Sequence, residues 1–367
     1  MSKTIRFNAF EMNCVGHQSP GLWRHPRDRS WQYKDLEYWT DLAKILERGF
    51  FDAVFIADVI GYYDVYKGDN HHALHQGVQI PVNDPLQLAG PIAQATKHLG
   101  IGVTASTSFE HPYTFARRLS TADHHTKGRV GWNIVTSYLE SGAKNVGEAG
   151  LRRHDNRYDV ASEYVEVLYK LLEGSWEDGA VVRDRERGVF TVPEKVHEIG
   201  HKGKYFDVPG YHLCEPSPQR TPVLFQAGAS GAGKAFASGH AECVFISNPL
   251  KGPTAAYVRE IRKGTEAAGR DPKKLLQIVK SEGQREDGHG LSAEVLSQIP
   301  YALHDPLAVF ASATHENALV VVTELKDGKG NPVITAVHLN VSAKNHQINK
   351  VASIYGRSNA KTAFVAW

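Results

Sequence analysis

No stretch of this sequence approaches the ~18 consecutive apolar residues of a membrane-spanning helix, so an integral membrane protein is not expected. The first ten residues, MSKTIRFNAF, hold no apolar signal core and lead straight into a strand-like pattern, which disfavours secretion. Cysteine is scarce. Cys14, Cys214 and Cys243 are far apart and odd in number, which excludes a complete disulfide framework and a CxxC metal clip and fits a reducing cytoplasm. A charge excess of one sign is lacking as well: 42 basic and 40 acidic residues leave a net charge of +2, no footprint for nucleic acid or an anionic membrane. A small molecule is the partner expected on these grounds.

Several catalytic signatures are also missing. There is no G-x-S-x-G elbow, no HExxH pair, no GxxxxGK[ST] loop and no GxGxxG fingerprint, which counts against serine hydrolases, zincins, P-loop nucleotidases and dinucleotide enzymes. His71–His72 and His124–His125 are adjacent pairs whose side chains diverge, poor chelators that fit surface or packing roles better. What the chain does have is 367 residues with 41% hydrophobic and 22% charged content, enough for a buried core and for one barrel with insertions.

Short β-rich runs alternate with helical patterns, the mark of βα units on a parallel sheet. The runs are Ile5 to Phe10, Phe51 to Ala57, Ile101 to Ser106, Val130 to Thr136, Val223 to Gly228, Cys243 to Ser247 and Leu275 to Val279, seven candidate strands. Helices are predicted over Leu36 to Arg48 and over Asp159 to Leu172, where Val160, Tyr164, Val167, Leu168 and Leu171 make one apolar stripe. Asp84 before Pro85, and His111 before Pro112, read as helix starts. The charged, glycine-rich stretch 174–222 reads as an insertion, its run from Arg183 to Arg187 as solvated surface. Beyond about Glu282, Leu319 to Leu325 and Val333 to Leu339, joined through Asp327 to Gly330, read as an antiparallel hairpin, unlike an eighth barrel strand. The expected fold is α/β: a (β/α)8 TIM-barrel-like sheet, incomplete at about seven strands, with a small α+β C-terminal segment.

Active sites of such barrels sit at the C-terminal ends of the strands. Asp58 ends the run FDAVFIAD, where it would accept hydrogen bonds from ligand hydroxyls or, equally, cap the next segment. Thr104 and Ser106 share one strand face, at a site or as core filler. Asn133 offers both donor and acceptor, as a flavin's pyrimidine edge requires, or is a satisfied core amide. His154 and Tyr158 lie one helical turn apart, where they would hold a phosphate or ribityl chain with the imidazole free for proton transfer, unless they are ordinary packing. The sharpest local signal is FQAGASGAGKAFA at Phe225 to Ala237. It is a strand, then small residues, then a new helix, with Ser230 and Gly231 set to contact a phosphate.

In order along the chain stand GLWRHP at 21–26, LERGFFDAVFIADVIGYYDVY at 46–66, PVNDP at 81–85, SFEHPYTFARR at 108–118, GRVGWNIVTS at 128–137, RHDNRYDVASEYVEV at 153–167 and PSPQRTPVLFQAGAS at 216–230. From about Ile5 to Glu282 the sequence therefore resembles the nitrilotriacetate and dibenzothiophene-sulfone monooxygenases, a subgroup of the bacterial-luciferase-like flavin monooxygenases. The resemblance implies that Asp58, Thr104, His154, Tyr158 and Ser230 line an FMN site, with Ser230 at the phosphate and Asn133 near the ring. It implies a two-component system in which a separate NAD(P)H:FMN reductase supplies FMNH2. Reaction with O2 then gives a C4a-(hydro)peroxide that oxygenates a small organic substrate such as a sulfone or aminopolycarboxylate. The protein would orient the reactants and exclude water, with Phe10, Trp23 and Tyr63 as a dry wall at the barrel mouth, and would assemble as a homo-oligomer.

Residues 291–355, including LSAEVLSQIPYALHDPLAVFASA and NPVITAVHLN, instead resemble a C-terminal module of phage head-morphogenesis proteins. The expected division is a luciferase-like barrel over 1–285 with its insertion, and an unrelated α+β module over 286–367. The rival to the enzyme reading is a catalytically inactive barrel fragment whose C-terminal module binds a partner.

Overall fold

A computed structural model of the chain describes residues 6–16, 21–246 and 251–279, together with four further strands at 308–311, 318–326, 332–343 and 346–356. Two compact units are present, one of Arg6–Ile246 and Ala256–Ile278 and one that takes in the chain from Val279 on. In chain order the elements up to Val279 are β1 (Asn8–Met12), α1 (Leu36–Arg48), β2 (Ala53–Ala57), α2 (His71–Gln76), α3 (Ala89–Ala95), β3 (Gly100–Ser106), α4 (Pro112–Thr126), β4 (Val130–Val135), α5 (Glu140–Asn145), α6 (His154–Tyr169), β5 (Val181–Asp184), β6 (Val189–Thr191), β7 (His201–Lys202), β8 (Asp207–Val208), β9 (Val223–Gln226), α7 (Gly231–His240), β10 (Cys243–Ile246), α8 (Lys251–Ala267) and β11 (Leu276–Val279).

The seven expected strands form one sheet in the order β1-β2-β3-β4-β9-β10-β11. Neighbours from β1 to β10 pair in parallel. The first two strands begin later than their apolar runs, at Asn8 and Ala53, with the Phe7 and Phe51 rings 6.2 Å apart and tilted just before them. The sheet is curled. Five strand spacings separate β1 from β10, roughly 24 Å across a flat sheet, yet the Phe10 and Phe245 rings lie 6.2 Å apart. The result is a parallel half-barrel with an apolar interior in which Phe55 meets Phe10, Phe225 and Phe245 at 5.4, 5.5 and 4.4 Å.

Alternation sends the other face of each strand to the helices. Val54, Ile56, Ile101 and Val103 pack with Trp39, Ala43 and Leu46 of α1, whose spacing puts them on one face. Trp132, Ile134 and Leu224 meet Phe115, Leu119 and the stripe Tyr164, Val167, Leu168 and Leu171. α1 has the limits its periodicity predicts; α6 starts earlier, at His154, and runs on through a π turn to Gly174. Both proline-marked starts are capped: Asp84 Oδ1 accepts from Leu86 N–H at 2.9 Å and His111 Nδ1 from Tyr113 N–H at 3.2 Å. Across 174–222 the chain forms two short antiparallel hairpins, β5–β6 and β7–β8. Glu163 of α6 anchors the second, accepting N–H groups of Lys204, Tyr205 and Phe206 at 2.7 to 3.1 Å.

In the second unit β12 (Ala308–Ala311), β13 (Ala318–Lys326), β14 (Pro332–Ala343) and β15 (His346–Gly356) make an antiparallel sheet in sequential order. β13 and β14 are the expected hairpin, in one register from Ala318↔His338 to Val322↔Ile334 and shifted by a bulge before Lys326↔Pro332. Its turn, and the helical part expected of this segment, lie outside the described residues. No helix among the described residues is long and apolar enough to cross a membrane.

Candidate functional site

Within the half-barrel, side chains stack in layers. Phe55 and Phe225 form a floor over Gly102 and Gly131, where a Cβ would come within 3.0 Å of Phe55 and 2.6 Å of Phe225 respectively. Two residues further along the strands, Thr104 and Asn133 sit side by side, 3% and 5% exposed, and Asn133 Nδ2 donates to Thr104 Oγ1 at 3.0 Å. Asn133 Oδ1 is buried without a partner. Asn133 is therefore not a satisfied core amide: one acceptor is open in the layer beneath the rim. Ser106, on the same face, bonds Ser137 Oγ at 2.7 Å.

Asp58 follows β2, and no helix begins until Tyr66–Gly68, so the capping alternative does not hold. Burial, only partly offset by the Val59 N–H, pushes its carboxyl up to about 7, with Asp84 adding to the rise. Around it lies an apolar collar of Met12, Cys14, Val59 and Leu139, against which Ala57, Tyr63 and Val82 pack. The Cys14 thiol is pushed up to about 12 by burial and by Glu11 and Asp58, so it serves as an apolar wall rather than a thiolate. Tyr63 Oη lies 2.5 Å from Tyr138 Oη and 3.2 Å from Gln79 Oε1, tying two loops together across the mouth. Phe10 corrects the expectation: it belongs to the floor, paired in register with Phe55 and one layer below Thr104. Trp23 Nε1 donates to the carbonyl of Gln76, the last residue of α2, at 3.0 Å.

At the end of β9 the chain turns through Ala227–Ser230 into α7. Ser230 Oγ accepts the Gly233 N–H at 3.0 Å and Ser230 O the Lys234 N–H at 2.8 Å, which leaves the N–H groups of Gly231 and Ala232 for a ligand. The turn is tight enough to require glycine. A Cβ on Gly228 would lie 2.7 Å from Gly233 Cα and 2.7 Å from Tyr158 Oη, and one on Gly233 would lie 2.8 Å from each counterpart. Nothing would meet a Cβ on Gly231, so that side of the turn is open. Tyr158 Oη thus stands against the turn, and the His154 ring lies 5.3 Å from the Tyr158 ring. The His154 side chain is 47% exposed, with Nδ1 2.8 Å from Asp155 Oδ1.

The structure thus joins Thr104 to Asn133, and Tyr158 to the Ser230–Gly231 turn, while Asp58 follows the neighbouring strand β2. Three rim residues escaped the sequence reading. Arg157 is buried and donates to Ser137 O, holding Ser137 at φ 58. Gln226 bridges Tyr158 and Gly228, and Tyr257 Oη donates to Gly228 O at 2.7 Å. The first two lie within quoted motifs, RHDNRYD and FQAG, and a charged or amide residue among buried neighbours was the available signal. Among the described residues no three His, Cys, Asp or Glu side chains are grouped to hold a metal.

A family model described as luciferase-like monooxygenase matches residues 10–282, and one described as phage MuF C-terminal domain matches 280–367. The long-chain alkane monooxygenase of Geobacillus thermodenitrificans (strain NG80-2) is 58% identical over 272 residues, 74% of this chain and 62% of that protein. A crystal structure of long-chain alkane monooxygenase superposes with a TM-score of 0.75 over 76% of this chain and 64% of that one, at 57% identity. The dimethyl-sulfide monooxygenase of Hyphomicrobium sulfonivorans is 57% identical over 281 residues, 76% of this chain and 58% of that protein. A riboflavin lyase, solved with modified FMN and riboflavin, superposes with a TM-score of 0.72 at 39% identity, over 76% of this chain and 62% of that one. The chain therefore spans about three fifths of the length of the alkane and dimethyl-sulfide enzymes. The subgroup expected from the motifs is related but less similar. Dibenzothiophene-sulfone monooxygenase of Rhodococcus erythropolis matches at 32% over 97% of this chain and 80% of that protein, and nitrilotriacetate monooxygenase component A of Aminobacter aminovorans at 35% over 70% and 57%.

Proposed function

Because this chain belongs to the luciferase-like monooxygenase family, we propose that it takes reduced FMN from a separate NAD(P)H:FMN reductase and uses O2 to oxygenate a small organic molecule. Reduced FMN, when bound, supplies the oxygen activation; the residues described above supply binding, orientation and dryness. The observation that carries this reading is the Ser230 turn: two glycines too close to admit a Cβ, a capped helix start, and Tyr158 standing against them. Ser230, Gly231, Ala232 and Tyr158 would hold the phosphate. Asn133 and Thr104 fit the ring, since the open Asn133 Oδ1 is the acceptor that a ring N–H needs. Asp58, its carboxyl raised to about 7, would donate to the ribityl hydroxyls when protonated and accept from them when ionised. His154, half-exposed beside Tyr158, is placed to move a proton between the site and solvent.

Apart from the Asp58 carboxyl they surround, the collar side chains Met12, Cys14, Val59 and Leu139 are apolar and uncharged. An uncharged, weakly polar substrate, of the kind named for the alkane and dimethyl-sulfide relatives, suits it better than an aminopolycarboxylate. We take residues 1–285 as the flavin-binding barrel and 286–367 as a separate module. A second reading rests on the MuF match and on the chain's covering 62% of the alkane enzyme: an inactive barrel that carries the module to a partner. The test is to titrate the chain with FMN, then supply a flavin reductase, NADH and dimethyl sulfide or a medium-length alkane. Oxygenated product in excess of an enzyme-free control supports the monooxygenase. Flavin binding with hydrogen peroxide as the sole product favours the second reading, and no flavin binding overturns the proposed site.

A further inference from the structure

We propose that Gln226 is a positioning residue: it fixes the direction of the Tyr158 hydroxyl proton, so that Tyr158 donates to an anionic group held at the Ser230 turn. The inference rests on the proposed FMN site and deepens it. Gln226 is the last residue of β9 and 3% exposed, so its amide must be satisfied by protein. One end lies 2.6 Å from the Gly228 N–H. Only an oxygen can accept that proton, because a reversed amide would press two N–H donors together. The orientation is therefore set by the backbone of the turn. The other end, Nε2, is then obliged to donate, and it lies 3.3 Å from Tyr158 Oη.

This decides the polarity of the phenol. Tyr158 Oη accepts from Gln226, and its own proton cannot return to an atom that is itself a donor. No other hydrogen-bond partner of Tyr158 Oη is present among the described residues. On the inner side the two glycines leave no room beside the hydroxyl even for a Cβ, which would lie 2.7 Å from it on Gly228 and 2.8 Å on Gly233. The proton is left for a group outside, at the edge of the turn where Gly231 is open. A doubly acceptor group such as a phosphate fits there. The same network makes the arrangement stiff. Tyr257 Oη donates to Gly228 O at 2.7 Å, and Lys234 Nζ pairs with Glu260 at 2.7 Å while lying over the Tyr257 ring. The N–H and O–H donors at the turn thus have their direction set before the ligand arrives.

Gln226→Glu separates polarity from packing. The carboxylate still accepts from Gly228 N–H, but it cannot donate to Tyr158, whose proton then turns inward to it. FMN and riboflavin differ at the phosphate alone, so the full chain is titrated with each by tryptophan fluorescence, as wild type, Gln226→Glu, Tyr158→Phe and the double variant, with thermal midpoints recorded. The expected result is that Gln226→Glu weakens FMN by roughly ten- to a hundredfold, the scale of a hydrogen bond to a charged group, and leaves riboflavin within about threefold. In the Tyr158→Phe background the same change should cost FMN far less, because the two residues act as one donor. Should Gln226→Glu fail to fold, Gln226→Leu is expected to show the same FMN-specific, Tyr158-dependent loss. Retained FMN affinity, or a loss equally large in the Tyr158→Phe background, overturns the role of Gln226 while leaving the site reading intact. Equal wild-type affinity for FMN and riboflavin, or binding of neither, overturns the site reading and the inference with it.

Discussion

Gly102 and Phe55 make the floor of the half-barrel a quantitative test of the packing described above. A Cβ on Gly102 would fall 3.0 Å from Phe55 Cδ2 and 3.6 Å from Phe225 Cε2, both in rings confined by neighbouring aromatics. Gly102→Ala alone should therefore destabilise through overpacking by about 1–3 kcal/mol, less the ~0.5–1 kcal/mol that alanine gains over glycine in a strand. Phe55→Ala should cost about 3–5 kcal/mol, since the ring is buried and its removal leaves a cavity. In the Phe55→Ala background the clash is gone and the new methyl fills part of the cavity. Gly102→Ala should then turn neutral or stabilising, by up to about 1 kcal/mol for one buried carbon. The coupling expected from the double-mutant cycle is about 2 kcal/mol. Urea unfolding followed by tryptophan fluorescence reads it, because Trp39 and Trp132 are fully buried in this unit. If Gly102→Ala costs the same in both backgrounds, Phe55 does not confine that position and the layer is wrongly assigned.

Three further predictions concern the rim. The folded-state carboxyl of Asp58 is raised from 3.8 to about 7, so its contribution to stability is full below about pH 4 and lost as pH rises through 7. Asp58→Asn escapes that loss and should exceed wild type by up to a few kcal/mol at pH 8 while matching it near pH 4; parallel pH profiles of the two proteins would refute the assignment. Glu11, also raised to about 7 by burial, is present in both and cancels in the comparison. Ser230→Asp keeps a helix cap but sets a carboxylate where the anion is proposed to sit, so it should preserve the melting temperature and weaken FMN more than riboflavin; unchanged FMN affinity removes Ser230 from the site. His154→Ala should lower oxygenation strongly at a stability cost within about 1 kcal/mol, because the side chain is half-exposed and bonded to its neighbour Asp155. A lowered unfolding midpoint with full rate at saturating flavin would make it a packing residue.

Much of the fold was legible because its signals are local. Seven β-branched runs became the seven strands of one sheet, and the stripe from Val160 to Leu171 became the buried face of α6. Asp84 and His111 carry cap chemistry that depends on neighbours two residues away. Depth was not legible. Alternation tells which face of a strand a residue occupies, but the layer it reaches is set by register against strands distant in sequence. Phe10 therefore reads as a mouth residue until its pairing with Phe55 places it in the floor. The same limit hid Arg157, whose partner Ser137 O lies twenty residues earlier at the end of another strand.

The site shows where such reading must stop. Ser230, Gly231 and Tyr158 are candidates by residue type, but small residues before a helix are a weak signal alone and a hydroxyl one turn from a histidine is as readily ordinary packing. Gln226 announces nothing: an amide at a strand end is as ordinary as any. Its significance arises from two distances, 2.6 Å to one backbone N–H and 3.3 Å to one phenol, which together leave a proton a single direction to take. Hydrogen-bond polarity propagates through contacts between β9, α6 and the turn. Residue types supply donors and acceptors, and the fold alone decides which of two possible directions each bond runs.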